Sequence, residues 1–222
     1  MEIGMKKLAT TMAIAAMGLT LAHAHAHAAT LKVATHASLR LLDPLRSTAD
    51  ITRDHGYAVY ETLFSLDENL RPQPQMVSEH SVSSDGLTWT FKLRDGLTFH
   101  DGAPVTSQDV IASLQRWFKR DITGGRIGAL LKTISAADDK TVRIVLTAPY
   151  GLMLDSLAKR NAHVPFIMPR RLAETPPDQN VTEVIGSGPF RFVKEEFQPG
   201  VRVVYEKFKS YVPRPGPMSA LA

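Results

Sequence analysis

Residues 85–106 read DGLTWTFKLRDGLTFHDGAPVT, and this stretch decides the fold of the region around it. Within it, Leu87, Trp89, Phe91 and Leu93 alternate with polar side chains, which is the pattern of a strand with one buried face. One Asp-Gly pair precedes these residues and another follows them, and such pairs favour tight turns. The stretch therefore predicts a half-buried strand between two turns.

The same stretch continues into a second strand and a helix. Leu97 and Phe99 predict a short strand whose apolar side chains point inward. Thr106 stands three residues before Asp109, the spacing of a capping box at a helix N-terminus. Apolar side chains then recur at helical spacing, at Val110, Ile111, Leu114, Trp117 and Phe118.

The rest of the chain predicts further short elements and no internal repeat. They are strands at 32–35 and 63–66, a helix at 51–62, an irregular segment at Pro72 and Pro74, a hairpin over 134–146 turning at 138–140, a short helix over 151–159, a helical turn at 170–174, and a hairpin of 190–197 and 201–205.

The N-terminus predicts a cleaved signal peptide over residues 1–28. Lys6 and Lys7 precede an uncharged, mostly apolar run from Leu8 to Ala22, and Ala26-His27-Ala28 supplies small residues for cleavage. A membrane anchor is the alternative, but the run falls short of the roughly 20 residues that span a bilayer. We therefore expect a periplasmic protein that does not itself span the membrane.

Composition excludes several classes of function. The 26 Lys and Arg residues slightly exceed the 22 Asp and Glu residues, and they are scattered rather than clustered, so nucleic-acid binding is not expected. The chain has no cysteine, which excludes disulfides and thiolate metal sites. A hydrophobic fraction of 44% is enough for a core without such crosslinks.

No motif of enzyme or metal chemistry is complete. Gly186-Ser187-Gly188 is not a nucleophile elbow, because Ile185 and Pro189 occupy the wrong places. His100 and Asp101 lie at a turn, where the carboxylate is expected to accept bonds from turn amides. His23, His25 and His27 alternate with alanine and could bind a metal, but they lie in the segment expected to be removed. The other histidines, His36, His55, His80 and His163, lack metal-ligand spacing, so no catalytic residue, metal or cofactor is predicted.

Residues 85–106, followed by Asp109-Val110 and a helix, closely resemble a signature of the family 5 extracellular solute-binding proteins, the peptide- and nickel-type receptors of bacterial ABC importers. Three further segments agree with that family in the same order along the chain. They are Leu31 to Pro44, Tyr60 to Phe64, and Gly186 to Phe190 with the later Pro199-Gly200 and Val201 to Tyr205. The resemblance covers the chain from about Leu31 to Arg214.

The resemblance implies an α/β fold of the type II periplasmic binding protein class, a Venus-flytrap architecture whose C-terminal lobe is missing here. Family members are typically more than twice as long. The implied domains are a first-lobe segment at 29–60, an inserted small α/β domain at 61–185, and a truncated return to the first lobe at 186–222. Half a clamp is expected to bind its ligand weakly or not at all.

The implied function is capture of a short peptide or similar small solute and its delivery to an ABC permease in the inner membrane. A truncated, non-transporting secreted interaction module is the alternative, and a secreted hydrolase lacks a visible nucleophile–base pair. The expected ligand-binding residues lie in a loop and a turn: Thr35, His36, Ala37 and Ser38, and Gly186, Ser187 and Gly188. For the glycines, the alternative is that they only permit a tight turn before the strand at Phe190.

Overall fold

The structure is a computed structural model that describes residues 30–215. The predicted signal peptide at 1–28 lies outside the described residues. Of those described, 30–34 belong to one unit and 35–215 to a second. Within the described part of the chain, no helix is long and apolar enough to cross a membrane.

The second unit alternates short helices and antiparallel strands. In chain order its elements are α1 (Asp50–Val59), β1 (Phe64–Leu66), β2 (Pro72–Pro74), β3 (Val77–Val82), β4 (Thr88–Leu93), α2 (Ser107–Phe118), α3 (Ile122–Leu130), β5 (Leu131–Ala136), β6 (Thr141–Leu146), α4 (Met153–Leu157), α5 (Arg170–Ala173), β7 (Phe190–Phe192), a 3-10 turn (Lys194–Glu196) and β8 (Tyr205–Lys207).

The central sheet has four antiparallel strands in the order β3-β4-β6-β5. The alternation predicted for β4 is confirmed, because Trp89, Phe91 and Leu93 are buried. Phe91 pairs with Val142 and Trp89 with Ile144 on β6, so the buried faces of the two strands coincide. Each such apolar side chain contributes about 2 kcal/mol when fully buried.

Helix α2 covers the buried face of this sheet and begins where the sequence predicts. The Asp109 carboxylate accepts hydrogen bonds from the backbone N–H and the hydroxyl of Thr106, at 2.8 and 2.6 Å, within the capping box. Its other oxygen accepts from the Arg170 N–H at 2.7 Å. The cap therefore also fixes the start of α5 against α2.

Asp43 and Pro44 begin a turn, which is closed by a hydrogen bond from the Arg46 N–H to the Asp43 carbonyl oxygen at 3.0 Å. Asp43 is 2% exposed and accepts hydrogen bonds from Leu45 N–H and Val181 N–H, each at 3.0 Å. Arg116 of α2 meets the same carboxylate with both terminal nitrogens, at 3.1 and 2.7 Å. This buried ion pair joins three segments that are far apart in sequence.

Four predicted elements are wrong in type or length. Residues 32–35 form no strand, and the side chain of Val33 is 72% exposed. Leu97 and Phe99 are buried as predicted, but only the single bridge between Thr98 and Pro104 forms there. The segment with Pro72 and Pro74 is a strand paired to β1, because proline is tolerated in a short two-stranded edge ladder. The last hairpin keeps only β7 and β8 as paired strands.

The other predicted elements are confirmed in type, with shifted ends. Helix α1 stops at Val59 because Tyr60 is extended, so the helix ends three residues earlier than predicted. The hairpin of β5 and β6, the short helix α4 and the turn α5 lie within their predicted ranges or within three residues of them. The domain limits at 60/61 and 185/186 stay a prediction.

Two hydrophobic clusters organise the described residues. The larger lies between the sheet and α2 and includes Phe91, Leu114 and Trp117. The smaller surrounds the end of α1, where Val59 and Tyr60 pack with side chains that include those of Val164, Phe166, Met168 and Phe192. The end of α1 is thus held in place by this cluster, and the predicted ligand-binding turn at 186–188 packs against it.

Candidate ligand-binding site

The turn Gly186-Ser187-Gly188 is buried against the end of α1. The Gly188 N–H donates to the Val59 carbonyl oxygen at 2.9 Å. A Cβ added at Gly186 would lie 2.1 Å from the same oxygen, and one at Gly188 would lie 2.7 Å from the Val59 carbonyl carbon. These glycines are therefore required by close backbone packing, and their contact with a ligand stays a prediction.

His100 contacts the same turn through its backbone and its ring. The His100 backbone N–H donates to the Gly186 carbonyl at 2.9 Å, and its ring Nε2 lies 3.0 Å from the Gly188 carbonyl oxygen. The Gly186 N–H points at ring Nδ1 from 3.4 Å. The predicted structural role of the His100-Asp101 turn is also confirmed at Asp101, which accepts from the Ala103 N–H at 3.1 Å.

A buried carboxylate, Glu61, lies near Ser187 of the turn. Glu61 is 4% exposed, and one of its oxygens accepts a hydrogen bond from the Gln75 side chain at 3.0 Å. Its other oxygen and the Ser187 hydroxyl are both buried and make no hydrogen bond within the described residues. Burial is the main reason why the pKa of Glu61 rises from 4.5 to about 7, although Ser187, Gln75, Arg94 and Tyr211 act in the opposite direction.

Arg94 lies next to Glu61 but offsets little of the free-energy cost of burying its charge. Its nearest guanidinium nitrogen is 3.7 Å from the Glu61 carboxylate. The guanidinium instead donates to the carbonyl oxygens of Gln75, Val212 and Pro213, at 2.7, 3.1 and 3.1 Å. Arg94 thus fixes the segment at 212–213, and its direct hydrogen bonds go to backbone rather than to the acid.

The raised pKa of Glu61 predicts a specific pH dependence of stability. Between the unfolded pKa of 4.5 and the folded pKa of about 7, the folded state binds more protons, so the free energy of unfolding falls as pH rises. The Glu61→Gln variant keeps a neutral side chain. We expect it to match the parent protein near pH 4 and to exceed it by about 3 kcal/mol near pH 8.

Urea unfolding at a series of pH values measures this difference. Glu79→Gln is the matched control, because Glu79 is exposed and forms only the surface pair with Lys92 at 3.3 Å. Its difference from the parent protein should stay within about 0.5 kcal/mol across the same range. A Glu61→Gln difference that does not grow with pH would contradict the assignment.

The second predicted ligand-binding segment, Thr35 to Ser38, is an exposed loop. The Thr35 hydroxyl donates to the Ala37 carbonyl at 2.9 Å, and the Ser38 hydroxyl donates to the Gly200 carbonyl at 3.4 Å. No hydrogen bond within residues 35–215 joins this loop to the turn at Gly186. A ligand role for His36 and its neighbours stays a prediction.

The turn has a buried carboxylate, Glu61, and a histidine, His100, beside it. The described residues contain no cluster of three or more side chains that could hold a metal ion. Glu61, Arg94 and Tyr211 were not singled out from the sequence. Glu61 could have been found, since it is a charged residue inside the apolar run from Tyr60 to Phe64.

Residues 71–219 match the family described as bacterial extracellular solute-binding proteins, family 5 Middle. That match covers more than half of the chain. The chain belongs to this family. The resemblance carried by residues 85–106 is thereby confirmed.

Relatives of this family 5 protein include a peptide transporter's binding protein and a glutathione-binding protein. A probable peptide ABC transporter periplasmic-binding protein, y4tO of Sinorhizobium fredii, is 42% identical over 83% of this chain and 34% of its own length. The glutathione-binding protein GsiB of Pectobacterium atrosepticum is 29% identical over 81% of this chain and 34% of its own length. The family 5 chain thus spans about a third of the length of these curated relatives.

Solved structures agree on the fold. The periplasmic binding protein AgaA of A. tumefaciens R10, in complex with agropinic acid, is 29% identical with a TM-score of 0.66, over 77% of this chain and 34% of its own. The oligopeptide-binding protein AppA of Bacillus subtilis, in complex with a nonapeptide, is 26% identical with a TM-score of 0.66, over 80% and 36%. The predicted fold class, an incomplete type II periplasmic binding protein of mixed α/β type, is confirmed.

Proposed function

We propose that this protein is the solute-binding component of an ABC importer, which captures a short peptide or a similar small solute and hands it to a permease in the membrane. The observation that carries the proposal is the 42% identity, over 83% of this chain, to a probable peptide ABC transporter periplasmic-binding protein. The protein binds its solute and does not convert it, and it needs no cofactor.

The place of action in this proposal is the periplasm. The basic start at Lys6 and Lys7, the apolar run after them and the small residues before Ala29 support export with cleavage of residues 1–28. Mass spectrometry of the exported protein tests this directly. An N-terminus at Ala29 supports cleavage after Ala28, and a retained leader contradicts it.

Peptide titration tests the binding function. Because this chain matches only 34% of its peptide-transport relative, we expect weak binding by the chain alone, without saturation at millimolar peptide. A chimera that joins this chain to the unmatched remainder of that relative completes the clamp. We expect the chimera to bind short peptides one-to-one at micromolar affinity, measured by calorimetry, and unrelated sugars should give no heat.

A secreted interaction module is the second candidate. It predicts that the chain folds alone and that the chimera gains no peptide affinity. A chimera that fails to bind peptides although it is folded would overturn the transport proposal. Micromolar binding by the chain alone would overturn the expectation that the second lobe is needed.

A further inference from the structure

Both ends of the turn Gly186-Ser187-Gly188 are fixed by one side chain. The Gly188 carbonyl oxygen lies 3.0 Å from His100 Nε2, and the Gly186 N–H points at Nδ1 from 3.4 Å. A carbonyl oxygen can only accept and a backbone N–H can only donate. The ring must therefore carry its proton on Nε2 and present a bare Nδ1, which is the neutral imidazole in a single tautomer.

We propose that His100 is the positioning residue of the Gly186–Gly188 turn, holding it as a neutral imidazole and releasing its Gly186 end when the ring takes up a second proton. An imidazolium carries a proton on Nδ1, which would face the Gly186 N–H as donor against donor. The inference rests on the proposed function in one respect, because the turn matters for binding if it faces the ligand.

The surroundings of the ring favour the neutral form. Phe208, just beyond β8, packs its ring edge-on against the imidazole, with centroids 4.8 Å apart. Burial is the main cause that lowers the pKa of His100, and Arg191 of β7 lowers it further. The Gly188 carbonyl and Asp101 act in the opposite direction.

Two other charged groups bear on the same turn. Asp101 is paired with Arg171 at 3.0 Å, which withdraws part of its charge from the ring. Glu61 lies near Ser187 of the turn. Acidification neutralises Glu61, so its effect on stability is opposite in sign to that of protonating His100, and the two are separable by variants.

Nuclear magnetic resonance of the full 222-residue chain tests the proposal without any ligand. Ring nitrogen shifts report the tautomer, and hydrogen exchange reports the Gly186 amide. We expect the Nε2–H tautomer near pH 7. On acidification the Gly186 protection factor should fall about tenfold, the value expected for one lost hydrogen bond, with the same midpoint as the His100 ring.

Two glutamine variants provide the comparison. His100→Gln keeps a donor for the Gly188 carbonyl but cannot titrate, so the Gly186 protection factor should no longer change with pH. His80→Gln is the matched control, because His80 also packs edge-on against an aromatic ring, that of Phe64 at 5.3 Å. It should leave the pH response of Gly186 intact.

The proposal is overturned if the ring is the Nδ1–H tautomer near pH 7, or if the Gly186 protection factor does not change as the ring titrates. The tautomer measurement needs no variant, so it decides even if His100→Gln fails to fold. A chain with the expected tautomer and pH response whose chimera binds no peptide overturns the proposed function alone. A peptide-binding chimera whose ring is the Nδ1–H tautomer overturns only the role of His100.

Discussion

The Gly186→Ala variant is expected to lose about 3 kcal/mol or more of its free energy of unfolding. The added Cβ would lie 2.1 Å from the Val59 carbonyl oxygen and 2.8 Å from the Tyr60 ring. The Val59 carbonyl is backbone and already accepts the Gly188 N–H at 2.9 Å, so it cannot move without breaking that bond. Relief requires the turn to separate from the end of α1.

Urea unfolding followed by tryptophan fluorescence measures the loss. Gly151→Ala is the matched control, since a Cβ at Gly151 would meet nothing within 4 Å. Its stability should stay within about 0.5 kcal/mol of the parent protein. Equal midpoints for the two variants would show that the turn does not pack against Val59 as described here.

The half-buried strand and the capped helix could be predicted because their signals are local. Alternation in β4 and the Thr106–Asp109 spacing each determine structure within a few residues. The paired strand at Pro72–Pro74 could not be predicted, because proline usually ends a ladder and only the neighbouring β1 makes the pairing possible. A strand was expected at 32–35, but a strand also needs a hydrogen-bonded neighbour, which sequence alone does not reveal.

In the candidate site, too, only the features with a local sequence signal could be predicted. The glycines at 186 and 188 could be singled out from a motif, but their reason for being glycine is the carbonyl of Val59, more than 120 residues earlier in the chain. Arg94 gave no signal of its role, since its partners are backbone carbonyls at residues 75, 212 and 213. Contacts of this kind depend on tertiary packing and leave no local pattern.

Arg116→Gln is expected to cost about 3 to 5 kcal/mol, because it leaves the Asp43 carboxylate buried without its counter-charge. Both side chains are 1% exposed, and the guanidinium also donates to the Thr175 and Gln179 carbonyls at 3.0 and 2.8 Å. Asp43→Asn should lower the free energy of unfolding by a similar amount, because it leaves the Arg116 guanidinium buried without its counter-charge. Each variant removes one charged side chain of the pair and leaves the other buried without its counter-charge.

A double-mutant cycle isolates the pair from these side effects. The variant with both Asp43→Asn and Arg116→Gln contains no unpaired charge, so its loss should be smaller than the sum of the single losses by about 2 kcal/mol. The exposed pair of Arg191 and Glu206, 2.6 Å apart and 55% exposed on each side, serves as the control and should show a coupling of about 0.5 kcal/mol. Asp43 and Arg116 join the 43–45 turn, α2 and the segment at 175–181. Additive losses at the buried pair would mean that the attraction between the two charges contributes nothing to holding these three segments together.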